Sequence, residues 1–137
     1  VGKGTNVTKQ ELKQIRYIND EIDMLQRELK RIRSSPLISG TDMSQTRVKG
    51  GIVAPVERRV AQEDDIQRLI QLNLDKLSIQ KRRAIDYIYS VDDSMMRQIL
   101  YLRYVGCLTW RQVAAQMGRP DMEDALRVAH DRFLDKA

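Results

Sequence analysis

The stretch from Met96 to Gly118, MRQILYLRYVGCLTWRQVAAQMG, decides the fold. Met96, Ile99, Leu100, Arg103 and Tyr104 recur at helical spacing, which places an apolar stripe on one side of a helix. Gly106 is expected to stop that helix, because glycine takes the left-handed C′ conformation without steric cost. Thr109 then caps a second helix, and Gln112 three residues on completes a Thr-x-x-Gln capping box. Trp110, Val113, Ala114 and Met117 are expected to point inward, with Ala114 small enough for two helices to cross closely. Gly118 permits a sharp turn, and Arg119 and Pro120 break the helical pattern. Asp121 is the expected N-cap of a further helix, Met122 to Lys136, with Leu126, Ala129 and Phe133 on its buried face. Helix, tight turn, short helix, turn, helix is the order of a helix-turn-helix, which sets its last helix into the major groove of DNA. A plain three-helix bundle with no nucleic-acid role shares the pattern.

The run LRYVGCLTWRQVAAQMG resembles region 4 of bacterial sigma factors. More closely, it resembles the C-terminal domain of small sigma-region-4-like regulators from phages and prophages of Gram-positive bacteria, related to late-gene activators of the ArpU and RinA type. The continuation MEDALRVAHDRFLDK is similar to that family's last helix, with its Arg-x-x-His and its Arg-Phe-Leu end. The layout of the whole chain also fits: a long helix, a polar loop, a second long helix, then the helix-turn-helix. The resemblance is specific in roughly the last 45 residues and only architectural before them. It implies a cytoplasmic regulator that binds double-stranded DNA, with RNA polymerase as a further partner, since sigma region 4 also contacts polymerase.

Composition agrees with long packed helices. The chain has 137 residues, 31% of them charged and 5% aromatic, with one Phe and one Trp. That is thin material for a globular core but usual for helices that pack along a seam. The formal net charge of +5 suits a polyanionic partner, though charge alone is weak evidence. A single cysteine, Cys107, rules out a disulfide within one chain and fits a reducing compartment. No apolar run reaches bilayer-spanning length, and VGKGTNVTKQ lacks the hydrophobic centre of a signal peptide.

The N-terminal part, residues 1–91, reads as an oligomerisation device joined to a C-terminal domain of residues 92–137. From Thr8 to about Arg33 there is no Gly or Pro, and Thr8 with Glu11 forms another capping box. Ile15, Ile18, Ile22, Leu25, Leu29 and Ile32 repeat at spacings of 3, 4, 3, 4 and 3, which is an a/d seam. Residues 34–55 are loop-like, punctuated by Pro36, Gly40, Gly50, Gly51 and Pro55. A second helix is expected from about Val56 to Ser90, with Val60, Ile66, Leu69, Ile70, Leu74, Leu77, Ile85 and Ile88 on a wide apolar stripe. An antiparallel hairpin is the simplest arrangement. The stripe is wider than one partner needs, so a homodimer is expected, with Ile66, Ile70 and Leu77 joining the seam of the first helix at the interface. The fold expected overall is all-α: a coiled-coil-like long-helix hairpin, then a three-helix helix-turn-helix domain.

The charges locate candidate contacts. Residues 92–137 hold seven Lys or Arg and seven Asp or Glu, so this domain is neutral, while residues 1–91 carry seventeen basic and twelve acidic residues. The last helix opens with Asp121, Glu123 and Asp124. Acids there favour the helix dipole, which is the simpler account, although an acid can also accept from cytosine in the major groove. Arg127 is the best candidate to read a base edge, with Arg119, Glu123 and Asp124 beside it. Arg111 and the cluster Lys81, Arg82 and Arg83 are candidate phosphate contacts. Arg47 and Lys49, in the glycine-flanked loop, could reach a phosphate or a minor groove.

Enzyme chemistry finds little support. His130 is the sole histidine and has no ligand spacing to Cys107, so no metal site and no cofactor are expected. Lys49-Gly50-Gly51 is too short for a phosphate-binding loop. His130 is better read as a packing residue, Cys107 as a small turn residue. Two other readings stay open. A protein-binding module would use the neutral domain to grip polymerase or another protein. A small-terminase-type DNA-packaging subunit would more usually carry its helix-turn-helix at the N-terminus.

Overall fold

The computed structural model describes residues 7–35 and 55–136. Every regular element among them is helical. Helix α1 is Lys9–Ser34 and α2 is Pro55–Tyr89. Helix α3, Ser94–Leu100, continues into a π-helical turn, Tyr101–Val105. Helix α4 is Trp110–Gln116; a 3-10 turn, Pro120–Met122, leads into α5, Glu123–Lys136. Arg47 and Lys49 lie outside the described residues.

The chain forms two compact units, and the division does not fall at residue 91. One unit runs from Glu21 to Leu74; the other combines the residues up to Asp20 with those from Asp75 on. The start of α1 and the end of α2 therefore belong with the C-terminal helices. The reason is burial: Leu12 is 0% exposed and Ile15 1%, alongside Ile99, Leu100, Val113 and Ala114 at 0%. Three short helices alone would leave too much apolar surface wet.

In the Glu21–Leu74 unit the a/d seam of α1 is covered by the chain itself. Ile22, Leu25, Leu29 and Ile32 are buried there, with Ile70 of α2 buried and Ile66 half-buried. Ion pairs join the end of α1 to the start of α2: Glu63 accepts from Arg33 at 3.4 Å and lies 3.5 Å from Arg59, whose Nη2 donates to the Arg33 carbonyl. In the other unit Ile15 and Leu77 are buried and Ile18 half-buried. The residues expected at a dimer interface thus form the intrachain core. The predicted stripe of α2 was too wide: Val60, Leu69 and Leu74 are exposed.

Local chemistry sets the ends of the elements. Thr8 and Glu11 form the expected box, with Glu11 N–H donating to Thr8 Oγ1 at 3.1 Å and Thr8 N–H to Glu11 Oε1 at 3.2 Å. Asp93 caps α3 by accepting from Met95 N–H at 3.0 Å. At α4 the Thr109–Gln112 box closes in both directions, at 3.2 and 2.9 Å. Thr109→Ala should cost about 1 kcal/mol of stability, read by urea denaturation, while Thr109→Asn should cost much less.

Gly106 departs from expectation. Its φ is −79°, and Cys107 takes the left-handed conformation at φ 56°. Glycine is needed at 106 for closeness: a Cβ would lie 2.8 Å from the Leu102 carbonyl oxygen. The π-turn causes this, because Gly106 N–H donates to Tyr101 O at 2.9 Å and Leu108 N–H to Leu102 O at 3.1 Å, drawing the chain back over the helix end.

Gly118 has φ 72°, as the sharp turn requires. Arg119 N–H donates to Ala114 O and Gly118 N–H to Ala115 O, at 2.8 and 3.0 Å, which is a Schellman closure of α4. Asp121 is not the N-cap of α5. It lies inside the 3-10 turn, which begins after Arg119 without a side-chain cap.

Candidate nucleic-acid interface

The orientation of α5 is set by a buried polar cluster in the unit that contains it. His130 is 3% exposed and Tyr104 2%. The Tyr104 hydroxyl and His130 Nε2 are 2.7 Å apart, and His130 Nδ1 lies 2.9 Å from Asp131 Oδ1. A neutral imidazole satisfies both contacts: Nδ1–H donates to the carboxylate and Nε2 accepts from the phenol. Burial lowers the His130 pKa against the opposing pull of Asp131, and burial pushes the Tyr104 phenol up to about 12. Both shifts favour that neutral arrangement. Trp110 packs edge-on against His130 with ring centroids 4.7 Å apart, and Arg103 lies over the indole at 4.6 Å.

The turn before α4 is fixed by two arginines. Arg103 and Arg16 each donate to the Leu108 carbonyl at 2.9 Å, and Arg16 also reaches Arg103 O at 3.3 Å. Arg16 carries no signal in the sequence, since it lies on α1, some ninety residues from its acceptor. Arg103 was expected on the inward stripe and is half-buried there, its cation held by a carbonyl and a ring. At the other end of α3, Arg97 donates to the carbonyls of Val91 and Asp92 at 2.7 and 3.0 Å.

These contacts leave one face of α4 and α5 uncovered. Val113 and Ala114 are buried, while Trp110 and Met117 are half-buried. On α5 the buried positions are Leu126, His130 and Leu134, with Ala129 and Phe133 only half-buried, so the inward face is turned from the one expected. Outward on α4 lie Arg111, Gln112, Ala115 and Gln116; Arg119 is in the turn; Asp124, Ala125, Arg127, Val128 and Arg132 are outward on α5. Glu123 is half-buried in the first turn of α5.

The expected contact residues differ in how free they are. Arg111 and Arg119 are exposed and form no ion pair among the described residues. Arg132, which the sequence reading passed over, is in the same state. Arg127 stands 3.6 Å from Asp124 and 3.9 Å from Asp131. Pairs so exposed contribute at most about 1 kcal/mol, so Arg127 is easily released. Arg83 is paired with Glu11, which already serves the α1 capping box. Arg82 is exposed and Lys81 half-buried on the same helix. From Glu123 to Lys136, α5 carries four acids and three bases.

Tyr87 and Tyr104 are buried, whereas Tyr89 and Tyr101 are exposed and flank an open groove of about 360 Å³ with Arg97, Leu102 and Met117. Among the described residues no three of His, Cys, Asp and Glu come together to hold a metal ion, and no helix is long and apolar enough to cross a membrane.

Among the described residues these features define an all-helical protein in which α5, tied in by the buried contacts of His130, presents an exposed outer face. No protein-family model, curated protein or solved structure matches the chain.

Proposed function

We propose that this protein is a sequence-specific DNA-binding transcription regulator of phage type, acting as a dimer, with α5 entering the major groove. The observation that carries this reading is the arrangement of α4, the Gly118 turn and α5: a short positioning helix, a Schellman-closed turn and a helix whose outer face is free. Such a trio docks with its last helix in the groove and its first flanking the backbone. Arg111 and Arg119 then meet phosphates, and Arg127, released from its acidic neighbours, reads a guanine edge.

Binding of variants to a selected duplex and to random duplexes tests these roles. Arg111→Ala and Arg119→Ala should weaken both alike and lower the salt slope by about one each. Arg127→Ala should cost about 1 to 3 kcal/mol on the selected duplex only, relaxing preference at one position. Equal binding by all three variants and the parent would remove α4 and α5 from the interface.

The charge of α5 favours a second reading. A helix with four acids and three bases suits a protein partner at least as well as a polyanion. In that reading the same face grips RNA polymerase or another protein.

A further inference from the structure

We infer that Ala125 and Val128 of α5 read a thymine through its C5 methyl group, with Arg132 on the phosphate beside it. This deepens the regulator reading above and rests on it. The buried residues of α5, Leu126, His130 and Leu134, fix which way the helix faces. At about 100° per residue, their mean direction is that of His130. Val128 and Arg132 point about 160° away from it, and Ala125 about 140°. These three form the outermost line of the helix, at spacings of 3 and 4, and all are exposed. Arg127 stands only about 60° from His130 and approaches from the flank. The charges of α5 are sorted accordingly. Asp124, Arg127, Asp131 and Asp135 share that flank, and each is engaged. Arg127 lies 3.6 Å from Asp124 and 3.9 Å from Asp131, which accepts from His130 Nδ1 at 2.9 Å. Lys9 donates to Asp135 at 2.9 Å. The outer line takes no part in this row.

Chemistry selects the occupant. The side chains of Ala125 and Val128 neither donate nor accept a hydrogen bond, so they cannot read the polar groups of a base edge. Val128 is the large apolar side chain that α5 leaves in water, at 37% exposed. The floor of the major groove offers one apolar group, the thymine C5 methyl. Short side chains on the outermost line also let the helix backbone come close to that floor, where long ones would hold it off. A recognition helix contacts bases with its N-terminal residues. Ala125 and Val128 are the third and sixth residues of α5. Arg132 follows one turn later on the same line and forms no ion pair among the described residues, which leaves its cation free for the backbone.

The test uses the full chain and a duplex that it selects from a random pool. Deoxyuridine replaces each thymine in turn, which removes the methyl and leaves every hydrogen-bonding group in place. At one thymine of a half-site the dissociation constant should rise about fourfold, the worth of one methyl taken from water. Val128→Ala should weaken binding to the thymine duplex by a similar factor and bind thymine and uracil duplexes nearly alike. Its helical circular dichroism should be unchanged, because the position is exposed. Arg127→Ala and Arg132→Ala should both keep the methyl preference. Arg132→Ala should also weaken all duplexes alike and lower the salt slope by about one. A selected duplex in which no methyl matters, or a methyl preference undiminished in Val128→Ala, overturns this inference and leaves the regulator reading standing. A chain that selects no duplex overturns both and gives the face to a protein partner.

Discussion

A fragment of residues 92–137 should not hold a cooperative fold at room temperature. The three C-terminal helices lie in the same compact unit as the first turns of α1 and the end of α2. Val7, Leu12 and Ile15 are buried, and Arg16 fastens the turn before α4 through Leu108 O at 2.9 Å. Lys9 closes on Asp135 of α5 at 2.9 Å. Removing this support exposes apolar surface that fewer than fifty residues cannot replace. Within the full chain, Leu12→Ala should cost about 2 to 5 kcal/mol, the range for deleting a fully buried leucine side chain. Met24→Ala, at a position 51% exposed on the same helix, should be close to neutral. Urea denaturation of the two variants, and a thermal melt of the fragment, check this. A sharp melt of the isolated fragment would show that the expected boundary at residue 91 is the true one after all.

His130→Ala should be comparably damaging, at about 3 kcal/mol. It removes the partner of the buried Tyr104 hydroxyl and leaves a void under Trp110. The same residue makes stability depend on pH. Burial holds the His130 pKa below the ordinary value of 6.5, so the unfolded chain takes up a proton that the folded chain refuses. Stability is therefore full above that ordinary value and falls as pH drops from it toward the lowered folded pKa. His130 is the chain's sole histidine, so no other imidazole contributes to that window. Denaturation at about pH 7.5 and about pH 5.5 should show a loss in the parent that shrinks in His130→Gln. Equal losses in both would assign the acid sensitivity elsewhere.

Much of the secondary structure was legible because capping and periodicity are local. Thr8 with Glu11 and Thr109 with Gln112 carry their own hydrogen-bond logic within four residues, and both boxes form. Gly118 was legible for the same reason. Gly106 was misread because the cause of its glycine is the π-turn, which brings Leu102 O within 2.8 Å of a Cβ. A π-turn leaves no mark on a 3.6-residue pattern until the fold is known. Asp121 was misread because Pro120 starts a 3-10 turn ahead of α5.

The seam of α1 was legible as a seam but not as to its partner. Periodicity gives a face; whether the same chain or a second copy covers it depends on the return path of α2. In the candidate site, Arg111 was expected to meet a phosphate and Arg119 to lie beside the base-reading Arg127, and the fold leaves both side chains exposed. The contacts among Arg16, Arg103, Trp110 and His130 that fasten the turn before α4 join positions far apart in the chain, and only the fold brings them together.

Retaining genome fragments on the purified full chain at moderate salt, and sequencing what is held, tests whether the uncovered face of α4 and α5 reads DNA sequence. Enrichment of one or a few short sites, each with two half-sites, is the expected result. Retention that is uniform across fragments and vanishes as salt rises, or no retention, would contradict it and assign that face to a protein partner.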